Sequence, residues 1–168
     1  YTTHVQDYGW QPYVSDGKLS GTSGEAKRLE GIKIQLQNAP YVGSISYQTH
    51  VQDYGWQGWV SDNGFSGTSG ESKRLEAIRI KVTDELADYY DVYYRVHAQN
   101  FGWLDWARNG EAAGTAGYAY RLEAIEIQLV PKGSAAPGTL GTAYAEKTAT
   151  VLTVPSTDSD AGINYVVE

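Results

Sequence analysis

The sequence predicts an all-β domain built from three tandem copies of one unit. The copies lie at about residues 1–36, 47–82 and 94–129, and their landmarks recur at offsets of 46 and then 47 residues. Self-similarity at this period indicates a supersecondary unit that buries its apolar face by packing against its neighbours. Because 168 residues suit one domain, we predict a pseudo-threefold arrangement, either a β-prism of three sheets or a β-trefoil barrel.

Three segments of each copy have strand character, as the second copy shows. Residues 47–52 and 74–82 alternate apolar with polar side chains, the period of a half-buried strand. Residues 56–61 form the strand between them, and Gly-, Asn- and Asp-rich turns separate all three. Leu75 and its counterparts fall out of phase with the isoleucines that follow, which indicates either a β-bulge or a strand end covered on both faces.

The repeat pattern ends before a C-terminal tail. Residues 130–142 form a Pro/Gly/Ala-rich spacer, so the three-repeat domain extends over residues 1–142 and the tail over 143–168. The first copy lacks the lead-in residues that precede the other two. We therefore predict that a tail strand pairs near Tyr1 and closes the domain; the alternative is that the tail links to a following domain.

Composition and charge exclude several classes of partner. The net charge is −7 and no basic block occurs, which argues against nucleic acid and anionic membrane. Apolar runs are too short for membrane insertion. The chain has no cysteine, which removes disulfides and cysteine-based metal sites. We expect neither a metal nor another cofactor.

Four landmark residues recur in every copy and are predicted to be structural. The Arg and Glu are two positions apart on one strand, so they point to the same face, with the His as a neighbour. A half-buried polar cluster of this kind can fix strand register. The Trp never varies and is predicted to pack in the core. These candidates are His4, His50, His97, Trp10, Trp56, Trp103, Arg28, Arg74, Arg121, Glu30, Glu76 and Glu123.

A second aromatic residue follows each landmark Trp by three positions, and it is the predicted ligand platform. An offset of three in a strand places two rings on opposite faces. If the landmark Trp is inside, then the second ring is exposed, beside polar side chains of the adjacent turn, as a shallow sugar-binding site requires. The candidate ligand-binding residues are Tyr13, Asp16, Trp59, Asp62, Asn63, Trp106, Arg108 and Asn109.

The strings HVQDYGW, VSDG, GTSG and RLEAI resemble the ChW repeat family, the clostridial hydrophobic repeats with a conserved tryptophan. The resemblance covers residues 1–129. It implies a secreted or cell-surface protein of a Gram-positive bacterium, with a role in adhesion or carbohydrate binding. The family pattern contains no catalytic residues, so none are assigned here.

We therefore expect a non-catalytic extracellular module that binds glycan or polysaccharide through exposed aromatic side chains. The alternative is a module for protein–protein interaction or surface assembly within a larger secreted protein. The sequence leaves the ligand, the number of working sites and the oligomeric state open.

Overall fold

A computed structural model describes residues 1–148 and the backbone of two further strands, Thr150–Val154 and Ile163–Val167. This part is all-β apart from one short helix. Repeat 1 contains β1 (Thr2–Val5), β2 (Gly9–Trp10), β3 (Ser20–Gly21) and β4 (Leu29–Lys33). Repeat 2 contains β5 (Ile45–Val51), β6 (Gly55–Trp56), β7 (Val60–Ser61), β8 (Ser66–Gly67) and β9 (Leu75–Val82), and α1 (Glu85–Tyr89) follows it. Repeat 3 contains β10 (Tyr90–Ala98), β11 (Gly102–Trp103), β12 (Ala107–Arg108), β13 (Ala112–Ala116) and β14 (Leu122–Pro131), and the tail contains β15 (Tyr144–Glu146), β16 (Thr150–Val154) and β17 (Ile163–Val167).

Each repeat pairs its first strand with its last, and a bulge interrupts the pairing. In repeat 2, His50 lies opposite Ala77 whereas Val51 lies opposite Leu75, so Glu76 is the extra residue. Repeats 1 and 3 have the same interruption, at Glu30 and Glu123. Of the two explanations for the out-of-phase leucine, the bulge is therefore confirmed. The extra residue turns the leucine into the core together with the isoleucines.

One short strand of every repeat belongs to the sheet of another repeat. Strand β8 of repeat 2 pairs with β4 of repeat 1, β13 of repeat 3 pairs with β9 of repeat 2, and β3 of repeat 1 pairs with β14 of repeat 3. The donations form a closed cycle. The sequence pattern predicts only glycine turns at these positions. Strands β3 and β8 have two residues each, and β13 is a run of small side chains, so none of the three shows an alternation.

The glycine of each donated strand is required by close backbone contact. Gly67 has φ +128°, and a Cβ there would lie 2.3 Å from the carbonyl oxygen of Glu30, the bulge residue of the recipient sheet. Gly21 and Gly114 repeat this contact with the carbonyls of Glu123 and Glu76 at 2.4 Å. Only glycine combines a positive φ with room for this approach.

Three buried tyrosines connect the repeats in the same cyclic order. The backbone N–H of Ile34 in repeat 1 donates to the Tyr47 hydroxyl of repeat 2 at 3.0 Å, and that of Ile127 in repeat 3 donates to Tyr1 of repeat 1 at 3.1 Å. The Tyr94 hydroxyl is bonded to the backbone of Ile80. Burial raises the pKa of all three phenols, that of Tyr1 to about 12.

Buried hydroxyl pairs change together between repeats. Thr49 Oγ1 lies 2.8 Å from Ser66 Oγ in repeat 2, and Thr3 and Ser20 form the same pair at 2.9 Å. Repeat 3 has Val96 and Ala113 at these positions, both buried. Because both partners are replaced, neither member of this pair remains as a buried hydroxyl without the other, which keeps the cost of the exchange low.

The tail pairs with repeat 3 instead of with the N-terminus. Strand β15 runs parallel to β13, with Thr115 opposite Ala145, and β16 pairs with β17. The prediction of a tail strand beside Tyr1 is therefore wrong for the strands that the structure describes. Tyr1 instead donates its terminal ammonium to the Val14 carbonyl at 2.8 Å. Burial lowers the pKa of that ammonium.

Replacing Gly67 by Ala is expected to lower the free energy of unfolding by about 3 kcal/mol or more, because a strained φ and a backbone overlap act together. Chemical denaturation measures the loss. Gly70 is the matched control, since its φ is +72° and no heavy atom lies within 4 Å of a Cβ there. Gly70→Ala should cost only about 1 kcal/mol. Equal losses for the two variants would contradict the contact at the exchanged strand.

The buried tyrosines predict loss of stability in alkali. Their pKa in the folded chain lies above the ordinary value of 10.0, so the unfolded chain releases phenolic protons first. Their contribution is complete below pH 10 and is lost as the pH rises towards 12. Denaturation midpoints measured from pH 8 upward should therefore fall above about pH 10. A midpoint that stays constant up to pH 12 would refute this reading.

Candidate functional site

The landmark tryptophans stand on the outer faces of the sheets, so the prediction that they lie in the core is wrong. Trp10 is 40% exposed, and Trp56 and Trp103 are half-buried. The short Gly-Trp strand pairs directly with the first strand, where each Trp lies opposite the landmark His. The His side chain points to the outer face of the sheet, whereas its neighbours on the strand point inward. The Trp lies directly opposite the His and therefore points outward as well.

Other side chains of the protein already pack against these tryptophan rings. Each ring meets its His edge-on at 5.3–5.4 Å between ring centroids. A cation lies over each as well: Lys33 Nζ is 4.5 Å from the Trp10 centroid and Arg79 Cζ is 4.3 Å from that of Trp56. Over Trp103 the cation is Arg95, from the first strand. The landmark tryptophans therefore serve cation–π packing on the sheet surface.

The recurring His, Glu and Arg form one polar cluster per repeat, as the sequence predicts. In repeat 2, His50 Nδ1 lies 2.9 Å from Glu76 Oε1, and Arg74 Nε donates to Glu76 Oε2 at 3.0 Å. The other two clusters have matching distances of 2.9–3.0 Å for His–Glu and 2.9–3.1 Å for Arg–Glu. Both carboxylate oxygens of the bulge residue are thus engaged. The cluster holds the bulge in place.

The second aromatic position has different surroundings in the three repeats. Tyr13 is 49% exposed and Trp59 is 41% exposed, as predicted. Trp106 is only 8% exposed, so its assignment as an exposed platform is wrong. The chain after repeat 3 covers it: Trp106 N donates to the Thr139 carbonyl at 3.0 Å, and Gly138 lies against the indole nitrogen.

The polar candidates in the adjacent turns have mixed roles. Asp62 Oδ1 accepts a hydrogen bond from Ile45 N at 3.2 Å, and Asn109 Oδ1 accepts one from Val92 N at 2.9 Å, so both hold the start of the first strand. Arg108 is exposed, and its backbone N–H donates to a side chain of the same turn.

Three candidates from two repeats come together at Tyr13. The Tyr13 hydroxyl donates to Asn63 Oδ1 at 2.6 Å, which joins repeat 1 to the turn of repeat 2. A cavity of about 480 Å³ opens beside the ring, and Asp16, Gln35 and Gln37 contribute polar groups to its lining. The arrangement combines a half-exposed ring with a carboxylate and amides that can bond hydroxyl groups.

Sequence reasoning missed two polar residues beside the exposed rings. Lys81 Nζ lies 4.3 Å from the Trp59 ring centroid, and Gln35, its counterpart in repeat 1, lines the cavity at Tyr13. The signal was present for Lys81, because period-2 alternation puts it on the polar face of β9, whereas Gln35 lies two residues beyond the end of β4. The antiparallel pairing that places this face beside the ring joins residues far apart in the sequence, so no local pattern predicts it.

Comparison with protein families matches residues 4–38, 50–84 and 97–131 to the family described as Clostridial hydrophobic W, or ChW. The three segments make up more than half of the chain. The chain belongs to the ChW family. Each matched ChW segment begins at the His of a polar cluster and contains the Gly-Trp strand, the donated strand and the bulge. No curated protein and no solved structure matches the chain.

Two negative findings apply to the part of the ChW chain that the structure describes. Within it, no group of three or more His, Cys, Asp or Glu residues is placed to hold a metal ion. The single helix there lacks the length and apolar character needed to cross a membrane.

Removing a bulge carboxylate is expected to destabilise the ChW domain. Glu76→Ala leaves His50 and Arg74 half-buried without their acceptor, which should lower the free energy of unfolding by about 2 to 3 kcal/mol. Glu71→Ala is the control, because Glu71 is exposed and loses only an exposed hydrogen bond from Tyr54. It should leave the denaturation midpoint nearly unchanged. If Glu76→Ala is as stable as the control, the cluster does not hold the bulge.

Proposed function

We propose that this ChW chain is a non-catalytic extracellular module that binds glycans through Tyr13 and Trp59. The exposure of these two large rings at equivalent positions of repeats 1 and 2 is the observation that carries the proposal. An aromatic face stacks on the apolar C–H face of a pyranose, while neighbouring polar groups bond its hydroxyls. Exposed apolar rings next to polar side chains are typical of binding surfaces.

The surroundings of Tyr13 support this ligand class. The hydrogen bond to Asn63 fixes the orientation of the ring, which reduces the entropy lost on binding. Asp16, Gln35 and Gln37 line the adjoining cavity with hydrogen-bond acceptors and donors. A shallow, polar-edged recess of this kind suits a chain end or a short stretch of polysaccharide.

Trp59 offers a different version of the same surface. Lys81 lies over one part of the ring system, so a ligand on Trp59 meets a cation, whereas a ligand at Tyr13 meets a carboxylate. The two positions therefore have different charge preferences. Two weak sites on one rigid domain raise the avidity for a polymer that reaches both.

The arrangement of the sheets bears on how the sites are presented. We propose a β-prism-like arrangement around a common axis. The cyclic strand donation and the cyclic tyrosine contacts support it over a trefoil-like one. In such a prism, equivalent positions of repeats 1 and 2 face different directions, which suits attachment to an extended surface.

A role as an enzyme is not proposed, because the recurring titratable groups are already engaged. Each bulge glutamate is bonded to both a His and an Arg. A glycosidase would need two carboxyl groups facing each other across a sugar. Secretion or attachment at the surface of a Gram-positive cell is part of the proposal and accords with the ChW family.

Tyr13→Ala and Trp59→Ala should each weaken binding to a responsive glycan by about tenfold, the loss of a contact worth about 1.4 kcal/mol. Affinity electrophoresis in soluble polysaccharides, followed by titration calorimetry, measures the change. Tyr54→Ala serves as the control, because Tyr54 is 54% exposed but lies at a different position of the repeat. Its affinity should stay within twofold of the parent, on the order of 0.4 kcal/mol.

Two results would overturn the proposal. One is the absence of binding to any member of a broad glycan set. The other is equal affinity of the parent, Tyr13→Ala and Trp59→Ala for the glycan that binds. Circular dichroism of each variant verifies that it is folded.

A further inference from the structure

Four positions at one end of each repeat form a charged cluster in repeats 1 and 2. In repeat 2, Lys73 Nζ binds Asp53 Oδ2 at 2.6 Å and lies 5.4 Å from the Tyr54 ring centroid. The Tyr54 hydroxyl donates to Glu71. Repeat 1 has the same cluster, formed by Asp7, Tyr8, Glu25 and Lys27. The tyrosine hydroxyl and all three charged side chains are thus engaged within the repeat.

Repeat 3 replaces all four positions together. Asn100, Phe101, Tyr118 and Tyr120 stand where repeat 2 has Asp53, Tyr54, Glu71 and Lys73. Phe101 meets Tyr118 edge-on at 5.4 Å between ring centroids and Tyr120 at 5.9 Å. Tyr118 and Tyr120 stack at 5.4 Å with 20° between their planes. Phe101, Tyr118 and Tyr120 are called the aromatic patch below.

The aromatic patch exposes ring surface and hydroxyl groups in place of the charged cluster of the sister repeats. Phe101 remains 40% exposed and both tyrosines are half-exposed, so three rings lie at a surface where the sister repeats present charges. Among residues 1–148, no hydrogen bond engages the hydroxyl of Tyr118 or Tyr120. Uncharged rings whose hydroxyls make no hydrogen bond within this part of the chain match a ligand that is itself uncharged and rich in hydroxyl groups.

We propose that the aromatic patch is a separate binding site for an uncharged polysaccharide. The proposal rests on the glycan-binding function proposed above and adds a site that differs from Tyr13 and Trp59 in position and in charge. The rings provide the stacking surface, and the two phenolic hydroxyls bond sugar hydroxyls. The site lacks the cation of its sister clusters, because Tyr120 stands at the position that Lys73 has in repeat 2. It therefore offers no positive charge to uronic or sulfated sugars.

The sister repeats supply a test that preserves the fold. The exchange variant carries Asn100→Asp, Phe101→Tyr, Tyr118→Glu and Tyr120→Lys, which installs in repeat 3 the cluster that repeats 1 and 2 already hold. It is made in a Tyr13→Ala, Trp59→Ala background, so that remaining binding reports on the patch. The probes are mixed-linkage β-glucan, xyloglucan, glucomannan and dextran, with polygalacturonate as the acidic comparator.

The reverse exchange tests sufficiency. Asp53→Asn, Tyr54→Phe, Glu71→Tyr and Lys73→Tyr place a second aromatic patch in repeat 2, in the same background. Titration calorimetry with an oligosaccharide of the polymer that binds should show one more site per chain. Thermal unfolding of each variant, compared with its parent, verifies that the domain is intact.

The expected result is that the background protein binds at least one neutral polymer, does not bind polygalacturonate, and loses about tenfold or more of its affinity in the exchange variant. Unchanged binding in the exchange variant overturns the patch as a site, and so does equal binding to polygalacturonate. If the full chain binds neutral polymers only through Tyr13 and Trp59, the patch proposal fails while the proposed function stands. If the full chain binds no glycan, both fail.

Discussion

The bulge glutamate of each repeat is the residue on which the rest of the structure depends. Its side chain accepts hydrogen bonds from a His on the first strand and an Arg on its own strand. Its carbonyl lies against the glycine of the strand donated by another repeat, and for Glu30 it also accepts the Thr68 N–H at 3.1 Å. One residue thus connects the two main strands of a sheet with a strand from the next repeat. The polar residues that recur in all copies are therefore part of the architecture.

Positions that differ between the copies are those at which binding is proposed. The second aromatic position is an exposed Tyr in repeat 1, an exposed Trp in repeat 2 and a covered Trp in repeat 3. The aromatic patch occurs in repeat 3 alone. Three copies with one scaffold thus present three different surfaces. This division separates the residues that hold the fold from those available to a ligand.

The repeats and the main strands were predictable because each leaves a local pattern in the sequence, and the leucine out of phase indicated a bulge as one of two explanations. The donated strands were not, since Ser66 and Gly67 alone carry no period. The prediction that Trp56 faces the core was wrong because residues 56–61 form two short strands with a break between them. An offset of three residues therefore does not place two side chains on opposite faces here. The burial of Trp106 depends on residues more than thirty positions later, which no local pattern reveals.

Cyclic donation also limits how such a chain can change its length. Every repeat donates one strand and accepts one. Deletion of a repeat would therefore leave a donated strand without the sheet that it pairs with. Insertion of a fourth would have to open the ring before it could join. Unlike an open solenoid, which grows by single units, this architecture favours duplication of whole triplets during evolution.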